Sequence, residues 1–172
     1  MAHPPFTAVV VTATKNRMSA RRAVESLLNR HGDAHVLVVL IDDRFALAAR
    51  AFAAFPEVVV RGPAWLVTVL GPELLRLGMI HDADALAAVL RPFVLRALLD
   101  ERHPGPLVSL PADAEVLGPI DALVETEPGQ ILAVVPTRLT PPPADGKLPD
   151  AFDLAMTGRF DQELFEIGRA HV

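Results

Sequence analysis

Two uninterrupted apolar runs, TAVVVT at residues 7–12 and HVLVVLI at 35–41, bracket one helical pattern. Strands without polar alternation are covered on both faces, which happens in parallel sheets flanked by helices. Between the runs, Ala20, Ala23, Val24, Leu27 and Leu28 recur at helical spacing, with Ser19 as the expected cap and Gly32 as the stop. Strand, helix and strand in that order make a βαβ unit with a right-handed crossover. The chain is therefore committed early to an α/β architecture. The expectation is a three-layer α/β/α sandwich around a Rossmann-like, mostly parallel sheet.

The remaining pattern extends this plan. A short strand is expected at 58–60, followed by an irregular turn at Gly62-Pro63-Ala64-Trp65 and a short helix opened by Pro72-Glu73. The longest helix should be capped by Asp82 or Asp84 and run to about Arg102. Its expected buried stripe is Leu86, Val89, Leu90, Phe93, Val94, Ala97 and Leu98, with a kink or restart at Pro92. A strand at Leu107, Val108 and Leu110 leads to Asp113 and to a helix opening at Pro119 or Ile120. A further strand is expected at 130–135, a proline-rich loop at 136–149, a short helix at 151–156 and a last strand at 164–167.

With 172 residues, half of them apolar, the chain can build one substantial core, and residues 1–172 read as a single domain. A net charge of −5 with scattered basic residues argues against nucleic-acid binding. Cysteine is absent, which excludes disulfides, thiolate metal sites and cysteine nucleophiles. No apolar stretch reaches the ~20 residues needed to cross a bilayer, and no basic region precedes the first apolar run, so a cytoplasmic protein is expected. Richness in Ala, Arg, Leu and Pro suggests a bacterial source. Motifs for P-loop nucleotide binding, dinucleotide binding, serine hydrolysis and zinc peptidase chemistry are missing.

Open α/β sheets bind ligands beyond the carboxyl ends of their strands. Thr12, Thr14 and Arg17 lie at the carboxyl end of the first strand, Asp42 and Asp43 follow the second, and Asp113 and Glu115 follow the strand at 107–110. On an extended backbone Asp113 and Glu115 would share a face. Each also has a plainer reading, as a polar turn residue. Asp82-Ala83-Asp84 is the literal Asp-x-Asp of the chain, but its place before a long helix makes capping the better account. Arg91, within that helix, faces a phosphate or lies along apolar surface. Of the six histidines none has metal-ligand spacing, and Gly32 separates His31 from His35.

Four blocks taken together resemble the nucleotide-binding part of GT-A type bacterial nucleotide-sugar transferases, of the glycogenin and lipopolysaccharide-galactosyltransferase kind. They are VVVTATKNRMSARRAVESLLNRHGDAHVLVVLIDD, DADALAAVLRPFVLRALLD, LVSLPADAEVLGPIDAL, and the segment from ILAVV to FEIG. The resemblance implies a nucleotide-diphospho-sugar ligand with Thr12, Thr14, Arg17, Asp42, Asp43 and Arg91 around it. It also implies Mn²⁺ or Mg²⁺ at Asp113, with Glu115 as the second carboxylate. Two departures stand out. Pro111 occupies the place of the first Asp of the family's Asp-x-Asp. Asp161-Gln162-Glu163-Leu164-Phe165 stands where an Asn-Leu-Gly-Phe run is common. Catalytic domains of this type also continue further. Two expectations follow: a sugar-transferring enzyme with a further C-terminal half, or an inactive relative serving as a binding or assembly module with a protein partner.

Overall fold

The computed structural model describes residues 6–42, 44–101, 105–124, 132–136 and 160–167. In chain order they form β1 (Thr7–Thr12), α1 (Arg17–Leu28), β2 (His35–Leu40), α2 (Phe45–Ala49), β3 (Val58–Arg61), α3 (Pro63–Leu70), α4 (Glu73–Ile80), α5 (Ala83–Asp100), β4 (Leu107–Ser109), α6 (Asp121–Val124), β5 (Leu132–Pro136) and β6 (Phe160–Ile167). The six strands make one sheet in the order β3-β2-β1-β4-β6-β5. The first four strands are mutually parallel, and β6 runs antiparallel to both β4 and β5. The expected α/β sandwich is what forms, with a mixed sheet.

The pleat of β1 sorts its side chains between two cores. Ala8 and Val10 face α1, meeting Ala20, Ala23, Val24 and Leu27 together with Val36, Val38 and Val108. Val9 and Val11 face α5, meeting Leu90, Val94, Leu95 and Leu98 together with Leu37 and Val39. Every residue of β1 is buried, as its unbroken apolar run requires. Burying one such Val or Leu fully is worth about 1.5–3 kcal/mol. The sheet is thus held chiefly by the strands legible as apolar runs.

Several boundaries differ from expectation for identifiable reasons. α1 begins at Arg17, ahead of Ser19, because a 3₁₀ turn at Thr14–Asn16 already winds the chain. The segment expected as an irregular turn is the start of α3, where Pro63 occupies the first helical turn and needs no hydrogen-bond partner for its nitrogen. Gly62 is required before it, since a Cβ there would stand 2.5 Å from the Phe45 ring. Gly71, at φ 57°, ends α3 and turns the chain by 113° into α4. Phe45–Ala49 is a short helix that the sequence did not announce.

α5 runs through Pro92 as one helix. Its buried stripe is rotated from the expected one: Ala87, Leu90, Arg91, Val94, Leu95 and Leu98 face the sheet, while Phe93 is 43% exposed. The set 87, 91, 94, 98 satisfies helical spacing as well as the expected set does, and it brings Arg91 into the interior. The last strand is longer than expected and inserts between β4 and β5. The expected helix at 151–156 and the expected loop beyond Pro136 lie outside the described residues.

Glu166 on β6 pairs with Val108 and shares its face, on the α1 side of the sheet. Its side chain is fully buried, and neither carboxylate oxygen has a hydrogen-bond partner among the described residues. Burial pushes its pKa up from 4.5 to about 7. The folded state therefore keeps a proton that the unfolded chain releases. This contribution to stability is complete below pH about 4.5 and is lost as pH rises through about 7. Glu166→Gln should melt at a higher temperature than the parent chain in mildly alkaline buffer and lose that pH dependence, both readable by circular dichroism melts across the window.

Candidate functional site at the sheet switch point

Connections leave β1 and β4 in opposite directions. From β1 the chain passes through α1 to β2, on one side of β1 in the sheet, and from β4 it passes through α6 to β5 and β6, on the opposite side. This divergence opens a crevice beyond the carboxyl ends of β1 and β4, the usual ligand position in open α/β sheets. A cleft of about 370 Å³ lies there, lined by Thr12, Asn16, Ser19, Asp84, Arg91 and Asp113 over a floor that includes Val11, Ala87 and Ala112. Its volume is in the range of small-molecule sites. Arg91, 8% exposed, supplies a buried guanidinium on the α5 wall, and Asp113 stands exposed on the rim.

The loop after β1 is tied down on two sides. Thr14 donates its backbone N–H to Asp42 Oδ2 at 2.7 Å, and its hydroxyl donates to Asp42 Oδ1. Asp42 thereby clamps the ends of β1 and β2 together, while a carboxylate with about four acceptor sites keeps capacity for a ligand. Arg17 folds back, Nη1 donating to Thr14 O at 3.1 Å. On the other side, Lys15 Nζ and Asn16 Nδ2 donate to the Asp84 carboxylate at 2.7 and 2.9 Å. These bonds hold Asp84 below the usual carboxylate range, the Lys15 hydrogen bond first and Asn16 next, and the Asp84 bond raises Lys15.

The two carboxylates of Asp82-Ala83-Asp84 divide their work. Asp82 Oδ1 accepts from the backbone N–H of Asp84 and Ala85 at 3.0 and 2.9 Å, which is the expected cap of α5. Asp84 points away from the helix end and fastens the β1 loop across the cleft mouth. Asn16, Ser19 and Asp84 are the lining residues that sequence reasoning passed over. The polar turn Ala13–Arg17 was the signal for Asn16, and the second Asp of the pair was the signal for Asp84.

Of the sequence candidates, Thr12, Arg91 and Asp113 line the cleft, and Thr14, Arg17 and Asp42 form the adjoining group at the β1–β2 end. Asp43 lies outside the described residues. The chain turns at Ala112 and Asp113, with Ala114 N–H donating to Pro111 O at 3.2 Å, so the extended backbone expected there is absent. Asp113 and Glu115 nevertheless border one shared groove beside α1, and Asp113 alone of the two also reaches the cleft. Among the described residues no three carboxylate or imidazole groups converge as a ready-made metal cage. A cation here would depend on Asp113 and on oxygens from its ligand, an arrangement Mg²⁺ tolerates.

No family model and no curated protein sequence matches this chain. Among solved structures, the apo form of the bifunctional glycosyltransferase WbbM superposes over 98% of this chain with a TM-score of 0.54 at 12% identity. This chain spans 32% of that protein's chain. The likeness establishes a shared α/β fold. Among the described residues, no single helix is long and apolar enough to cross a membrane.

Three variants separate scaffold from site. Asp42→Asn should cost about 1–3 kcal/mol in urea unfolding, because a charged acceptor of two bonds from Thr14 is weakened. Asp82→Ala should cost about 1 kcal/mol through the lost cap, whereas Asp84→Ala should leave stability little changed, its pair with Lys15 being exposed.

Proposed function

We propose that this chain is the nucleotide-sugar-binding domain of a GT-A type glycosyltransferase. The observation that carries the reading is the cleft at the β1–β4 switch point, with a buried guanidinium on one wall and a carboxylate on the rim. In this reading the nucleoside lies beyond β1 and β2, near Thr12, Thr14 and the spare acceptor sites of Asp42, with Arg17 and Asp43 close by in sequence. The diphosphate lies toward Arg91 and Asn16, whose N–H groups suit phosphate oxygens. Mn²⁺ or Mg²⁺, held by Asp113 and by the diphosphate itself, would neutralise the leaving group. Glu115, on the groove side of Asp113, supports that ligand from the neighbouring loop position. A nucleotide-sugar donor also fits the bacterial cytoplasm expected from the sequence, and a further C-terminal half or a protein partner would complete the acceptor side.

A second reading rests on a separate observation: Pro111 occupies the place of one metal-ligating Asp, and Asp84 is engaged by Lys15 and Asn16. It makes the chain an inactive relative that binds a nucleotide sugar, or a partner, without transferring the sugar. In that case Asp113→Asn leaves binding unchanged.

Calorimetric titration with UDP- and GDP-sugars, with and without Mn²⁺, distinguishes the readings. The transferase reading expects binding by at least one donor, tighter with Mn²⁺, weakened about tenfold or more by Arg91→Met, and stripped of its Mn²⁺ dependence by Asp113→Asn. Absence of binding heat at millimolar donor would reject nucleotide-sugar recognition.

A further inference from the structure

A second groove, of about 480 Å³, lies on the far side of Asp113 from the cleft, between α1 and the segment that follows β4. Its α1 wall is formed by Ser19, Arg22, Glu25 and Ser26 with the C-cap residue Asn29, beside the buried stripe Ala20, Ala23, Val24 and Leu27. Its other wall is the loop bearing Asp113 and Glu115.

Two hydrogen bonds fix the spacing of these walls. Ser26 Oγ donates to Ala23 O and accepts from Val116 N–H, both at 2.9 Å. Farther along, buried His31 accepts from Ile120 N–H through Nε2 at 3.0 Å, with Nδ1 3.8 Å from Asp121 Oδ1 and the ring edge-on to Phe6. The groove is therefore preformed, which lowers the ordering cost of binding. It runs into the cleft at Ser19 and Asp113, which line both.

The lining selects a class of ligand. Against the single guanidinium of Arg22 stand three carboxylates, of Glu25, Asp113 and Glu115, a balance unfavourable to phosphate and other anions. No aromatic or large aliphatic side chain lines the groove, so nothing there stacks a nucleobase or buries a lipid chain. Carboxylate acceptors, a guanidinium donor, the Asn29 amide and the Ser19 hydroxyl together suit a neutral molecule rich in hydroxyls, each of which donates and accepts. We propose that this groove seats the sugar acceptor: a neutral saccharide lying along α1, its reacting end at Asp113 where groove and donor cleft meet. The proposal rests on the reading of the cleft as a nucleotide-sugar site.

The test is amide chemical-shift mapping on the full chain. One titration uses a panel of methyl glycosides (glucoside, galactoside, mannoside and N-acetylglucosaminide) at tens of millimolar, and a separate one uses UDP- and GDP-sugars. The glycosides should shift the amides of Ser19, Arg22, Asn29 and Glu115. The double variant Arg22→Ala with Asn29→Ala, at an exposed position of α1 and at its exposed C-cap, should melt like the parent. It should weaken glycoside binding about tenfold or more and leave the nucleotide-sugar shifts in place. If nucleotide sugars shift the cleft but no glycoside shifts the groove, the acceptor groove falls and the donor reading stands. Glycoside shifts indifferent to the double variant would also overturn it. Glycoside binding without any nucleotide-sugar binding would remove the donor reading and, with it, the acceptor role.

Discussion

The pairing of β1 between β2 and β4 is the constraint on which the rest depends. β1 is buried along its whole length, and its alternating side chains anchor α1 on one face and α5 on the other. Because the chain leaves β1 toward β2 and leaves β4 toward β5 and β6, neither connection crosses the space between their carboxyl ends, and a crevice stays open there. The cleft is thus a consequence of strand order, and the residues lining it come from three separate stretches of chain, 11–19, 84–91 and 112–113.

Around that frame, side chains of α1 and of the loops on either side of it do much of the fastening. Thr14 binds Asp42, Lys15 and Asn16 bind Asp84, Ser26 binds the Val116 backbone, and His31 binds the Ile120 backbone. The exposed Lys15–Asp84 pair adds little stability but determines where the β1 loop sits over the cleft. His31 gives no metal-ligand spacing in the sequence, and in the fold its imidazole instead braces the α1 groove. Glu166 works the other way. It is a carboxylate without a described partner in a core whose other side chains are mostly apolar, and a raised pKa is the way such a group limits its cost.

Much of this was legible in advance because the local physics left few alternatives. The all-apolar β-branched runs could only be interior strands, and Asp82 before a long apolar pattern could only be a helix start. Arg91 and Phe93 show where legibility stopped. Both helical stripes fit the periodicity of α5, and only contact with the sheet chose the one that buries an arginine and exposes a phenylalanine. The same holds at Pro63, where a sequence that reads as a turn becomes a helix because Phe45 and Gly62 pack closely at its entrance.

By itself the sequence determined the types of β1, α1, β2, α5 and β4, the parallel β1–β2 unit, and the carboxylates that stand at strand ends. Hydrophobic periodicity and capping chemistry are local, so they can be read along the chain. Tertiary structure alone decided that β6 inserts between β4 and β5, that Asp84 closes over the β1 loop, and that Asp113 sits between two pockets. These depend on which strand edges meet and which faces are buried together, and such non-local choices leave no period in the sequence.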